Sequence, residues 1–182
     1  IKTGTMIRVG KNTAASIERF LSTGIETVQF FFWGAIPAEI SSAWADEIRA
    51  VCDKNDLAIS AFSLFADPFS GNGDRSSVEK DWNRLIELAE RSGVSLITGF
   101  TGRVPGKTAD ESVDAVADFF SPVIEKIHAR GMALAFENCP MGGSWHNGGW
   151  NIAFCPSVWE MLFKDKFKSA SVGLEFDPSH CI

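Results

Sequence analysis

Three residues towards the C-terminal end of the chain carry the most chemistry for their spacing. Glu137 directly follows the apolar run MALAF, Asp177 closes the run GLEF, and His180 stands three residues after Asp177 in GLEFDPSH (173–180). A carboxylate at the end of a buried strand is expensive to leave unpaired, so Glu137 must be hydrogen-bonded, bound to a metal or held protonated. A salt bridge to a lysine or arginine would satisfy it equally well. Two carboxylates on successive strand ends repel each other unless a cation lies between them. An oxygen-rich pair with one imidazole suits Mn²⁺, Mg²⁺, Co²⁺ or Zn²⁺. Pro178 turns the chain and can return His180 to the same mouth; the alternative is a ring that caps its own loop. Asn138 follows Glu137 and points to the opposite face of a continuing strand, as a supporting group. The glycine-rich segment CPMGGSWHNGGW (139–150) carries Trp145 and Trp150, each suited either to stack on the apolar face of a ligand or to anchor a packed loop. Trp33, at the end of FFFW, reads as core or rim packing and can line the same pocket.

These residues need a scaffold that delivers strand ends to one place. The chain alternates short apolar runs with longer amphipathic stretches. Strands are expected over 5–10, 26–34, 57–67, 95–100, 132–138 and 171–177, rich in β-branched and aromatic residues. Helices are expected from 12 or 13 to about 22, from Pro37 through Val51, from Ser76 or Ser77 to Gly93, over 109–130, and from Pro156 to about 164. Pro122 predicts a kink or break in the fourth. The near-continuous apolar strands suit a parallel sheet covered on both faces. Regular βα alternation gives an α/β fold, either doubly wound or a (β/α)8 TIM-type barrel, with its chemistry at the carboxyl ends of the strands. A complete barrel has eight strands and about 250 residues. The 182 residues therefore read as a single domain over 1–182 with about six βα units, C-terminally incomplete, strands seven and eight missing.

Composition narrows the function classes. Hydrophobic residues make up 45%, with six Trp and fifteen Phe, as in a globular chain. The net charge is −6, and no stretch gathers lysine and arginine into a stripe that could track a nucleic-acid backbone. No apolar run is long enough to span a membrane, and the N-terminal residues do not read as a signal peptide. The four cysteines form no CxxC, which points to a reducing cytoplasm. SGNGD (70–74) and GFTGRVPG (99–106) are glycine-rich but lack phosphate-loop spacing. Arg103 and Lys107 are read either as solvated loop charges or as contacts to a substrate phosphate.

AFENCPMGGSW (135–145), WNIAFCPSVWEMLF (150–163) and GLEFDPSH resemble the sugar phosphate isomerase/epimerase family of the xylose isomerase-like barrel superfamily. The resemblance is specific from about residue 132 onward and rests before that on the βα pattern. It implies a divalent metal held by Glu137 and Asp177, with two further ligands that in the family follow strands seven and eight. It implies that His180 contacts substrate, or binds metal as in the superfamily's nuclease branch, and that Trp145, Trp33 and Asn138 lie around the substrate. The implied reaction is proton transfer beside a carbonyl of a sugar, sugar phosphate or polyol ketone through a metal-stabilised enediolate, with Glu137 as the base. The partner is then a small molecule rather than nucleic acid or membrane. The open barrel edges imply a homo-oligomer. Two alternatives stand beside this reading: a zinc hydrolase of the endonuclease IV type, and a partial barrel that does no catalysis as an isolated chain.

Overall fold

A computed structural model describes residues 1–70, 75–169 and 171–181. The turn-rich reading of 71–74, including most of SGNGD, lies outside the described residues. Six strands form one parallel sheet in sequence order: β1 (Gly4–Arg8), β2 (Thr27–Trp33), β3 (Ala58–Phe65), β4 (Leu96–Gly99), β5 (Ala133–Glu137) and β6 (Val172–Glu175). The helices between them are α1 (Thr13–Leu21), α2 (Ser42–Lys54), α3 (Arg75–Ser92) and α4 (Val113–His128). α5 (Pro156–Trp159) continues as a π-helical stretch over Glu160–Phe167. Short 3₁₀ turns cover Asp110–Ser112 and Pro178–Cys181.

Strand alternation divides the side chains between two faces. Val28, Phe30 and Phe32 of β2 are buried under the helices, with Phe30 and Phe32 against Trp44 of α2. Gln29 and Trp33 point to the other, concave face. The sheet curls so strongly that the Gln29 side chain reaches Glu175 across the concavity, with Nε2 2.6 Å from Oε1. The molecule is thus six βα units of a TIM barrel, curled but open between β1 and β6. The expectation of strands covered on both faces holds for the central ones, where Phe62, Leu64, Ile97, Thr98, Leu134 and Phe136 are all buried. It does not hold at the edges: every residue of β6 is only partly buried, because that strand has a single neighbour.

The second and fourth helices depart from the sequence reading. The second helix starts at Ser42, not Pro37, because the intervening carbonyls are already taken. Arg84 of α3 donates Nη1 to the Ile36 carbonyl and Nη2 to those of Pro37 and Ile40, and Asp81 accepts the Ile36 N–H. Pro122 does not break α4, which runs from Val113 to His128 with the proline inside it. It sits on the exposed side of the helix, as does Asp118, whose carbonyl would otherwise take the missing N–H.

The outer core is aromatic. Phe120 of α4 meets Trp82 of α3, Phe136 of β5 and its neighbour Phe119 edge-on, at ring-centroid distances of 5.2, 4.8 and 4.9 Å. At Gly99 there is no room for a side chain, since a Cβ would run into the Leu64 carbonyl and lie 2.8 Å from the Trp82 ring. Phe120 is fully buried, so Phe120→Ala removes both its transfer energy and its packing. The expected loss is about 3–5 kcal/mol, read from urea unfolding. A loss below about 1 kcal/mol would show that this layer does not carry the helix–sheet packing.

Candidate functional site

The C-terminal ends of β5 and β6 bring Glu137, Asp177 and His180 together. The Pro178–Cys181 turn folds the chain back, with the His180 N–H directed at the Asp177 carbonyl. His180 Nε2 then stands between the two carboxylates, 3.3 Å from Glu137 Oε1 and 3.4 Å from Asp177 Oδ2. The position between two like charges, where a cation is expected, is flanked by an imidazole nitrogen. The Glu137 side chain is 13% exposed, that of His180 27% and that of Asp177 41%, so the cluster grades from a largely covered carboxylate to an open mouth.

Two asparagines fix the strand ends. Asn138 is buried and points away from Glu137. Its Oδ1 accepts the Asp177 N–H at 2.6 Å and its Nδ2 donates to the Asp177 carbonyl at 2.9 Å, so the amide acts as one more strand rung. Asn151, also buried, donates Nδ2 to the carbonyls of Glu137 and Cys139. Its Oδ1 accepts from Thr101 and from the Ala153 N–H.

Arg103 is neither a solvated charge nor placed to meet a phosphate. It is 1% exposed, and its guanidinium donates to the carbonyls of Lys107, Ser144, Asn147 and Trp145. Asp67, at the end of the third apolar run, accepts the N–H groups of Phe69, Arg103 and Trp150. At Gly102 φ is +77°, and a Cβ would meet Asp67 Oδ1 at 2.7 Å, so glycine lets this loop approach the carboxylate. Arg103 and Asp67 together tie the loops after β3, β4 and β5 to one another.

The tryptophans separate. Trp33 is 41% exposed and stacks on Trp150, with centroids 5.7 Å apart and planes at 28°; Phe65 and Phe100 stand beside it. Trp145 packs on the core, and its carbonyl accepts from Arg103 and from the Ala109 N–H. His146 stays exposed.

Three residues at the site went unread in the sequence. Glu175 is the register partner of Glu137 across β5 and β6. Gln29 Nε2 lies 2.6 Å from Glu175 Oε1, 2.7 Å from Ser63 Oγ and 3.2 Å from Thr98 Oγ1, forming a polar layer inside the curl. Oε2 of Glu175 is buried without a hydrogen-bond partner. The available signals were a lone amide in TVQFFFW and an acid two residues before Asp177, hence on the same strand face. The third is Cys139: its sulfur, Glu137 oxygen and His180 nitrogen all lie within 4.8 Å of one another.

Burial pushes the Glu137 carboxyl above its ordinary range, the Glu175 charge adds to this, and His180 opposes it. Burial likewise pushes Glu175 up, against the hydrogen bonds from Gln29 and Thr98. Asp177 is held low by its hydrogen bonds with Ser179.

An open parallel barrel of six strands with a carboxylate–imidazole cluster at the strand ends defines a partial TIM-barrel protein. The chain belongs to the xylose isomerase-like TIM barrel family, whose profile matches residues 17–182. No curated protein sequence matches it. Among solved structures it is similar to a xylose isomerase domain protein from Planctomyces limnophilus, at 16% identity and TM-score 0.70, covering 100% of this chain and 63% of that one. It is similar to D-psicose 3-epimerase from Clostridium cellulolyticum H10, crystallised with D-tagatose, at 15% identity and TM-score 0.73, covering 99% of this chain and 64% of that one. An AP endonuclease of family 2 from Brucella melitensis is as near, at 13% identity and TM-score 0.73, covering 99% and 70%. The chain spans less than two thirds of the length of the first two. At such identities the likeness is one of fold. Among the described residues no helix is long and apolar enough to cross a membrane.

A carboxyl that holds its proton more tightly in the folded chain favours folding at low pH, and that advantage is lost as pH rises through the folded value. Glu175 should therefore contribute a fall in stability as pH rises above about 4, the unfolded carboxylate range, set against acids such as Asp177 that hold their protons less tightly in the folded chain. Glu175→Gln should flatten that fall, read from urea midpoints in chelator at several pH values. An unchanged slope in the variant would remove Glu175 as its source.

Proposed function

We propose that the protein is a metal-dependent isomerase or epimerase of a sugar, sugar phosphate or polyol ketone, working by proton transfer next to a carbonyl. The observation that carries the reading is the meeting of Glu137, Asp177 and His180 at one strand-end mouth. The site takes a small molecule, and the reading places the enzyme in the cytoplasm as a homo-oligomer. Four unpaired cysteines accord with a reducing compartment.

The donor set fits a divalent cation, one of Mn, Mg, Co or Zn: Glu137 and Asp177 offer oxygen, and His180 Nε2 lies within 3.4 Å of both. When bound, the cation supplies Lewis acidity to the substrate carbonyl and a neighbouring hydroxyl. The chain's own residues do the rest. Glu137 removes the proton from the carbon beside the carbonyl. Its burial makes it a stronger base than a solvated glutamate, while His180 works against over-stabilising the protonated form. Return of the proton to the adjacent carbon gives isomerisation, and return from the opposite face gives epimerisation. Asn138 and Asn151 hold the β5 and β6 ends in position. The exposed face of Trp33, backed by Trp150, offers an apolar surface for the substrate ring.

The test is solvent deuterium incorporation into a panel of ketoses and their phosphates. The metal-loaded protein should catalyse exchange that chelator abolishes, and Glu137→Gln should slow it by about 10²–10⁴. Metal-loaded protein that exchanges none of a broad panel would overturn the reading.

A further inference from the structure

The cation site of the proposed enzyme is more than a pair of carboxylates. Cys139 lies two residues beyond Glu137, where the chain leaves β5. Asn151 binds the carbonyls of both Glu137 and Cys139, so one buried amide sets this corner. The Met141 N–H is directed at the thiol, and Met141 takes a left-handed backbone, φ 50°, that bends the loop back. The outcome is one oxygen, one sulfur and one nitrogen within 4.8 Å of one another. A tetrahedral zinc ion with bonds of about 2.0–2.3 Å holds its ligand atoms roughly 3.5 Å apart. Glu137 Oε1 and His180 Nε2 already stand 3.3 Å apart. Asp177 lies outside this triangle, but its Oδ2 is 3.4 Å from the same His180 nitrogen, at the open side.

We propose that Cys139 is a metal ligand, and that Glu137, Cys139 and His180 form a mixed oxygen, sulfur and nitrogen site for a zinc-like ion, with Asp177 at the edge and a position left open to substrate. This rests on the metal-dependent reading above and specifies it. The thiol gives its proton to solvent as the sulfur–metal bond forms. A thiolate in the set favours Zn²⁺ or Co²⁺ over Mg²⁺ and Mn²⁺, which take oxygen ligands.

Cobalt(II) is the probe, because thiolate ligation gives a near-ultraviolet charge-transfer band separate from the visible d–d bands. Titration of the full chain should produce that band at one cobalt per chain. Cys139→Ser should abolish it and weaken cobalt binding by at least about tenfold, the scale for loss of even an outer-sphere partner. Cys181→Ser, which alters the exposed thiol beside Asn138, should leave the band intact. Circular dichroism of each variant checks folding, and the thiolate–cadmium(II) band of the unaltered protein gives a second measurement that needs no variant. Cobalt bound with d–d bands but no thiolate band, or a band that survives Cys139→Ser, would overturn this proposal and leave the isomerase reading standing. Failure to bind cobalt or cadmium at all would overturn both.

Discussion

Glu137 and Glu175 are register partners on adjacent parallel strands, so two carboxyls leave the same face of the sheet one strand apart. Much of the site follows from that constraint. Neither group can be left as a bare buried charge. Glu175, deeper in the curl, is met by Gln29 from the far side of the sheet, with Ser63 and Thr98 between. Glu137, at the rim, is met by His180. One acid is thereby committed to holding the curled sheet together, and the other remains available at the mouth.

The loops are held by side chains that bond to backbone. Arg103 places its guanidinium against four carbonyls, Asp67 collects three N–H groups, and Asn138 and Asn151 bridge strand ends to loops. Buried polar groups with all their partners rigidify the surrounding chain. That suits the proposed proton transfer, in which small displacements of the base would be costly in rate. The glycine-rich segment 139–150 is tethered at Ser144, Trp145, Asn147 and Trp150.

What could be read in the sequence was what local pattern controls. Five of the six strands fall within their expected runs, and β1 begins one residue ahead of its own, because burial beneath helices demands apolar β-branched and aromatic residues wherever the chain lies. The start of α2 could not be read, because it depends on Arg84, more than forty residues away, taking the carbonyls of Ile36, Pro37 and Ile40. The unbroken α4 depends on which side of the helix Pro122 faces. Arg103 is the sharpest case. An arginine in a glycine-rich loop ordinarily faces water, and only the folded chain brings four carbonyls to one point around it.

The candidate site divides in the same way. The sequence by itself determined the order of the strands, the acids at their ends and the Asp-Pro-Ser-His turn, since these follow from short-range pattern and the residue types the chemistry requires. Only the tertiary structure decided which of those groups meet. It placed His180 between Glu137 and Asp177, put Trp150 on Trp33 while committing Trp145 to the core, and drew Cys139, Gln29 and Glu175 into the site. The reason is geometric: strand curl and loop closure set distances between residues far apart in the chain, and no local pattern encodes them.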